Sequence, residues 1–443
     1  MADSMLSMGL DVGTSTTQMV ISRLTMENRA SGFSVPEMEI TGREVLYKSP
    51  VHFTPLVHEN LVDEAKIRAL VEQEYTAASI PRDKIQTGAV IITGESSRKE
   101  NARTVLSALS ECSGEFVVAT AGPHLESVLA AKGAGADLYS EETGATVLHI
   151  DIGGGTSNLA LIKNGQIVAT GCLNVGGRLL KFDASGYVKY RSPVLQRRDE
   201  LAIGQRPSQR TLENLCQTMT HALEMAAGLR PPTQLLQDFW TEEAGNLWLP
   251  PRNVDTISFS GGVAECMGTD FPAMQFGDLG PMLAETLCRS RLWEMPHRLA
   301  PDAIRATVIG AGCHSAQLAG STVFYRGVKL PLKNLPVVSN LEAVASAEEP
   351  VVLVLPTKNT MHYEEITALA DKVVTYWPVL PVIVAMESDM AKALGQALAL
   401  RLPADRGILC IDRVRLPEGS YLDVGHPVGS AMPVVIKTLI FER

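Results

Sequence analysis

The most informative segment of the sequence is His149-Ile150-Asp151-Ile152-Gly153-Gly154-Gly155-Thr156-Ser157-Asn158-Leu159-Ala160-Leu161. An apolar run ends in a carboxylate, three glycines follow, and small polar residues open a second apolar run, the pattern of strand, tight turn and return strand. Three consecutive glycines lose more conformational entropy on folding than an ordinary turn justifies, so close approach of the backbone to a ligand is the better explanation. The same grammar stands near the N-terminus in Gly9-Leu10-Asp11-Val12-Gly13-Thr14-Ser15-Thr16-Thr17-Gln18-Met19-Val20-Ile21. Such hairpins can aim backbone N–H groups and hydroxyls at phosphate oxygens. Gly13, Thr14, Ser15 and Thr16 would do so from one side, and Gly153, Gly154, Gly155 and Thr156 from the other. Asp11 and Asp151 would then share Mg²⁺, held through its waters, because this ion keeps most of its hydration and takes one or two carboxylates. One such hairpin alone is more often structural than functional. The pair is the specific signal.

A third turn, Ile257-Ser258-Phe259-Ser260-Gly261-Gly262-Val263-Ala264-Glu265, ends a strand before a helix. Ser260, Gly261 and Gly262 would let the backbone pass closely over a flat group such as an adenine. Between the hairpins, Ala89 to Thr93 and Phe116 to Ala119 read as strands, and Ala102 to Leu109 and Pro123 to Lys132 as helices, which places the chain in the α/β class. Thr211 to Leu229 is an amphipathic helix whose apolar stripe reads as core. Ala303 to Val308 leads into Gly310-Ala311-Gly312 and a small-residue helix through Ala319. Arg178 to Arg210 carries eight basic and three acidic residues and reads as a solvated hairpin and connection. Leu330 to Asn340, interrupted by two prolines, reads as a hinge. Beyond it Val351 to Leu355, Tyr363 to Val374, Val382 to Ala385, Asp389 to Leu400 and Gly407 to Ile411 alternate as a β-α-β-α-β unit. The expected division is 1–145, 146–340 and 341–443.

Composition narrows the function classes. The 443 residues carry 39 Lys+Arg and 49 Asp+Glu, a net charge of -10, which disfavours general attraction to nucleic acid or anionic lipid. The apolar stretch Val373 to Met386 is interrupted by Pro378 and Pro381 and falls well short of a ~20-residue membrane span. Seven cysteines are scattered without a C-x-x-C pair, so a reduced cytoplasmic compartment is the economical expectation. The nine histidines show no H-E-x-x-H spacing, and His149 reads as a satisfied core histidine.

Taken in order, the two Asp-x-Gly hairpins and the Ser-Gly-Gly turn resemble the first phosphate, second phosphate and adenosine motifs of the actin and heat-shock chaperone ATPase superfamily. Ala121-Gly122-Pro123-His124-Leu125-Glu126-Ser127 and Val308-Ile309-Gly310-Ala311-Gly312 resemble its two connecting helices. Within the superfamily, Ile92-Thr93-Gly94-Glu95-Ser96, Leu173-Asn174-Val175-Gly176-Gly177-Arg178 and Leu335-Pro336-Val337 are similar to the ethanolamine ammonia-lyase reactivating factors. The resemblance implies an actin-like fold of two related ribonuclease-H-like halves plus a C-terminal α/β module. It implies ATP and Mg²⁺ as ligands, ethanolamine ammonia-lyase as partner, and ATP-driven release of damaged cobalamin from that enzyme. A cytoplasmic setting with bacterial microcompartment association also follows from the resemblance, and a homodimer is left open. One position departs from the wider superfamily: where several members carry a water-orienting Glu before the helix proline, this chain has Gly122. Glu95 and Glu126 are the candidate substitutes, with Glu95 preferred as a charge in an otherwise small, uncharged turn. A small-molecule kinase of the same fold is the alternative, although neither its base nor its substrate pocket is legible. Nucleotide-dependent scaffolding and an iron–sulfur activator are less favoured, the latter because the cysteines are scattered.

Overall fold

The computed structural model describes residues 3–437 except 14–15, 29–37, 59–60, 94–116, 121–122, 242–247, 249, 315, 320–322, 356–360, 378–379, 417–419 and 428–431. The expected helix from Ala102 to Leu109 therefore lies outside the described residues. β1 (Asp3–Val12) and β2 (Thr16–Asn28) form an antiparallel hairpin, β3 (Met38–Lys48) pairs along the far side of β2, and β4 (His52–Phe53) pairs with its first residues. After α1 (Glu64–Ala78), β5 (Ile85–Ile92) lies parallel to β1, and β6 (Val117–Thr120) lies parallel to β5. The strand order is β3-β2-β1-β5-β6.

Helix α2 (Pro123–Gly133) leads to a second sheet of β7 (Val147–Ile152), β8 (Ser157–Lys163) and β9 (Gln166–Leu173). Helix α3 (Gln209–Ala226) precedes β10 (Thr256–Ser260) and β11 (His297–Leu299), and the order is β9-β8-β7-β10-β11. In each sheet the first three strands are antiparallel neighbours and the fourth and fifth run parallel to the first. Two sheets with the same order and the same strand directions are the two ribonuclease-H-like halves of an actin-like ATPase fold. In α3, Ser208 caps the N-terminus by accepting from Thr211 N, and Leu212, Leu215, Met219, Leu223 and Ala226 form the buried stripe. The helix stops at Ala226 because Gly228 turns to φ 76, where an added Cβ would meet Pro251 O at 2.1 Å.

Helix α4 (Ala306–His314) packs against β1 and α2 through glycines. A Cβ on Gly9 would meet Val308 O at 2.4 Å, one on Gly133 would meet Ala306 O at 1.8 Å, and one on Gly310 would meet Leu129 O at 2.0 Å. The small-residue helix does not continue through Ala319. It ends at His314, and β12 (Ala316–Ala319) pairs antiparallel with a strand near the C-terminus, so long-range pairing overrides the local helical pattern.

The third sheet contains β12, β13 (Phe324–Arg326), β14 (Leu332–Val338), β15 (Val352–Leu355), β16 (Val382–Met386), β17 (Ile408–Ile411), β18 (Tyr421–Val424) and β19 (Met432–Lys437). Helix α5 (Tyr363–Tyr376) connects β15 to β16, and α6 (Ala391–Ala399) connects β16 to β17. The order β12-β19-β18-β14-β15-β16-β17-β13 contains the expected β-α-β-α-β unit as the parallel run β15-β16-β17. The expected hinge from Leu330 to Asn340 is instead the central strand β14. Pro331 precedes the strand, and Pro336 is tolerated within it because the parallel neighbour β15 joins only at Val337. This sheet thus draws three strands from before Leu341. Among the described residues, no helix is long and apolar enough to cross a membrane, and the six described cysteines form no disulfide.

Candidate nucleotide cleft

The two glycine hairpins close in the same way. Gly13 N–H donates to Thr16 O at 2.9 Å, and Gly153 N–H donates to Thr156 O at 2.9 Å. Asp11 stands opposite Gln18 across the first hairpin and Asp151 opposite Asn158 across the second, each one residue before its strand ends. Both hairpins open onto one cleft of about 350 Å³, a volume suited to a small ligand. The first half lines it with Asp11, Gly13, Thr16, Phe53 and Thr93, and the second with Asp151, Gly153, Gly154, Gly155, Thr156, Gly261 and Gly262. Glu126, near the start of the connecting helix α2, also lines it and is buried. Thr14, Ser15 and Glu95 lie outside the described residues.

Gly261 adopts φ 92, and a Cβ there would meet Ile152 O at 2.4 Å, so the third turn requires glycine where it crosses the second hairpin. Ser260 itself is not among the residues that line the cleft. Its register partner is Asp151, it is fully buried, and its hydroxyl donates to Asp151 Oδ1 while facing His149 Nε2 at 3.0 Å. His149 is indeed a satisfied core histidine: its Nδ1 faces Ser258 Oγ at 3.1 Å, and burial pushes its pKa down to about 3.

The electrostatics of the two aspartates are set by desolvation. Burial pushes the Asp11 carboxyl up to about 7; the Thr93 hydroxyl, donating to Oδ1 at 2.8 Å, opposes this, and the negative Asp151 adds to it. Burial pushes Asp151 up to about 6, against the Ser260 hydrogen bond. Two desolvated carboxylates within electrostatic reach of each other are a donor set that a divalent cation stabilises. Among the described residues no three His, Cys, Asp or Glu side chains gather into a protein-made metal cage. Two carboxylates lining one cleft fit Mg²⁺, which keeps most of its waters and takes one or two carboxylates.

Three lining residues escape a reading from sequence. Arg178 appears there as the first member of a solvated basic run. In the fold its backbone N–H donates to Gly154 O at 2.6 Å, its Nε donates to Asp278 Oδ2 at 2.9 Å, and its guanidinium lies 5.4 Å from the Phe53 ring centroid. Asp278 and Phe53 carry no local motif at all. The available signal for Arg178 was its position directly after Gly176-Gly177: a Cβ on Gly176 would meet Gly154 O at 2.3 Å, so this pair is pressed against the second hairpin. Of the lining side chains, Arg178 is basic, while Asp11, Glu126, Asp151, Glu265 and Asp278 are acidic.

Comparison with known proteins extends these observations over the whole chain. The family model described as "Ethanolamine utilisation protein EutA" matches residues 3–348 and 339–442. The ethanolamine ammonia-lyase reactivase EutA of Escherichia coli (strain K12) is 40% identical over 99% of this chain and 98% of its own length. The protein of the same name from Salmonella typhimurium is also 40% identical, over 99% of this chain and 98% of its own. Among solved structures, the Ppx/GppA family member of Aquifex aeolicus is similar over 69% of this chain and 97% of its own, at 13% identity and a TM-score of 0.41. A cleft closed by two matching aspartate hairpins, in a chain aligned almost end to end with these relatives, belongs to a member of the EutA family of ethanolamine utilisation proteins.

Proposed function

We propose that this protein is an ATP-dependent reactivase of ethanolamine ammonia-lyase, which releases damaged cobalamin so that intact adenosylcobalamin can rebind. The observation that carries the ATPase part is the convergence of Asp11 and Asp151, on identically closed hairpins from the two halves, in one cleft. The lyase as partner rests on the family and on the printed names of its relatives.

In this reading the backbone of Gly13 and Gly153–Thr156 holds the β and γ phosphates, and Gly261 and Gly262 receive the adenosine. Asp11 and Asp151 hold the waters of Mg²⁺, whose charge offsets that of the phosphates. Glu126, a buried carboxylate on the cleft wall, takes the role of orienting the attacking water. Arg178 neutralises part of the cleft's negative charge. Because the clamp is shared by two halves, ATP and ADP can bias closure differently, and that difference is what can drive work on a partner. Association with a bacterial microcompartment follows the same family setting.

The test mixes the purified chain with lyase inactivated by cyanocobalamin, ATP, Mg²⁺ and adenosylcobalamin, and measures recovered deamination. Recovery should require ATP and Mg²⁺ and be lost in Asp11→Ala and Asp151→Ala. No recovery with the wild-type chain would overturn the proposal, and phosphoryl transfer to a metabolite in its place would favour a kinase.

A further inference from the structure

Beneath Asp151 runs a buried chain of hydrogen bonds. Its members alternate along two adjacent parallel strands: His149 and Asp151 on β7, and Ser258 and Ser260 on β10, with Ser258 registered against His149 and Ser260 against Asp151. The two-residue period places all four side chains on one face of the sheet. His149, Ser258 and Ser260 are completely buried, and Asp151 nearly so.

Counting protons leaves a single arrangement. An ionised Asp151 only accepts, so the one hydroxyl proton of Ser260 is committed to Asp151 Oδ1. The contact between Ser260 Oγ and His149 Nε2, at 3.0 Å, must then run the other way, with Nε2–H donating to Oγ. A completely buried imidazole facing two hydroxyls is neutral, since desolvation penalises its charged form. Its Nδ1 is therefore an acceptor and takes the Ser258 hydroxyl proton at 3.1 Å. In this tautomer both ring nitrogens and the Ser260 oxygen are satisfied.

We infer that His149 and Ser260 are positioning residues for Asp151. His149, as the Nε2–H tautomer, orients the Ser260 hydroxyl, and that hydroxyl fixes Oδ1 so that the remaining carboxylate oxygen is presented to the cleft. The inference deepens the function proposed above, since it rests on Asp151 holding the waters of the cation. Its physical content is preorganisation: a charge-assisted hydrogen bond from a locked hydroxyl removes the rotational freedom that a lone aspartate would lose on binding the metal.

Two measurements test it. Nitrogen-15 NMR of the full chain labelled at histidine, without metal or nucleotide, should show His149 as the Nε2–H tautomer, with His149→Gln assigning the signal. An Nδ1–H tautomer or a mixture overturns the proton arrangement, and this readout needs no variant to be active. The Mg²⁺ concentration giving half-maximal ATP hydrolysis should rise about tenfold in Ser260→Ala, the size expected for one hydrogen bond to a charged group, and Ser260→Thr should restore it. A folded Ser260→Ala protein with the wild-type Mg²⁺ requirement also overturns the inference. If the wild-type chain hydrolyses no ATP, the function proposed above fails, while the tautomer still decides this arrangement.

Discussion

Replacing Gly310 by Ala should destabilise the protein, against the usual sign for such a change. Within an ordinary helix, Gly to Ala is favourable by up to ~1 kcal/mol because alanine has less backbone freedom to lose. At Gly310 the new Cβ would lie 2.0 Å from Leu129 O, 2.6 Å from Leu129 C and 2.9 Å from its Cα. All three obstructing atoms are backbone, so no side-chain rotation relieves the clash. Helices α2 and α4 would have to separate by roughly 1 Å, and a close-packed interior resists that as it resists any overpacking, at about 1–3 kcal/mol. Taking the upper part of that range and subtracting the helix gain leaves a net loss of about 2 kcal/mol, or a fall in Tm of roughly 2–4 °C for a chain of this size.

The reciprocal site sharpens the test. Gly133 faces the same crossing from the other helix, where a Cβ would meet Ala306 O at 1.8 Å and Gly310 N at 2.7 Å. Once one substitution has pushed the helices apart, the second finds part of the space already open. The double variant should therefore lose less than the sum of the single losses, a coupling of about 1 kcal/mol expected only for residues sharing one contact. Calorimetric melting of wild type, Gly133→Ala, Gly310→Ala and the double variant measures all four corners. A Gly310→Ala protein that melts at or above the wild-type temperature would refute the backbone-to-backbone crossing.

Burial raises the carboxyl pKa of Asp11 from 3.8 to about 7 and of Asp151 from 3.8 to about 6, so the protonated forms favour the fold. Their stabilising contribution is present below about pH 4 and is lost as pH rises through 6 and 7; melting in a chelator should show this decline, and Asp11→Asn should flatten it. Added Mg²⁺ should raise Tm more at pH 8 than at pH 5, since only the ionised pair attracts it; an equal rise at both would contradict the reading. Arg178→Ala should weaken nucleotide binding by calorimetry and cost about 1–3 kcal/mol of stability, because it leaves the buried Asp278 without its guanidinium partner. Arg178→Lys should recover less than half of either effect, since a lysine cannot reproduce the planar fork that contacts both Asp278 and Phe53.

Much of the frame is legible in the residues because its signals are local. Asp11-Val12-Gly13 and Asp151-Ile152-Gly153 announce matching turns, and the small residues of Val308 to Gly312 announce a helix that must approach other backbone closely. The parallel strands β15, β16 and β17 are short apolar runs separated by helical periods, which is why the C-terminal unit reads well. The remainder depends on long-range contact. Ala316 to Ala319 looks helical in isolation and becomes a strand through pairing with Met432 to Val435. Leu332 to Val338 looks broken by Pro331 just before it and Pro336 within it, and is held by Val424 and Leu422 on one side and Val352 on the other. Arg178 and Asp278 are a hundred positions apart and meet only when the second half folds. Ser260 was legible as part of a glycine turn, but strand alternation, which decides whether a side chain faces the cleft or the aspartate beneath it, needed the register of β10 against β7.

The charge of the chain bears on what the cleft selects. A net charge of -10 sets an unfavourable field for any polyphosphate, and the cleft concentrates the problem with, among the described residues, five acidic side chains and one guanidinium on its walls. Backbone N–H groups offset part of this, as they do at other anion-binding turns, but they carry only partial charges. On the function proposed above, the ligand would be the metal complex of the nucleotide, with Asp11 and Asp151 the residues that would hold the cation's waters. ATP affinity by calorimetry should fall at least tenfold, about 1.4 kcal/mol, when Mg²⁺ is removed by a chelator. In Asp11→Asn/Asp151→Asn the direction should reverse: metal-free ATP binds more tightly than to wild type, because two of the opposing charges are gone. Equal affinity of wild type for ATP with and without Mg²⁺ would mean that the aspartates do not face the phosphates through a cation, and the clamp would have to be abandoned.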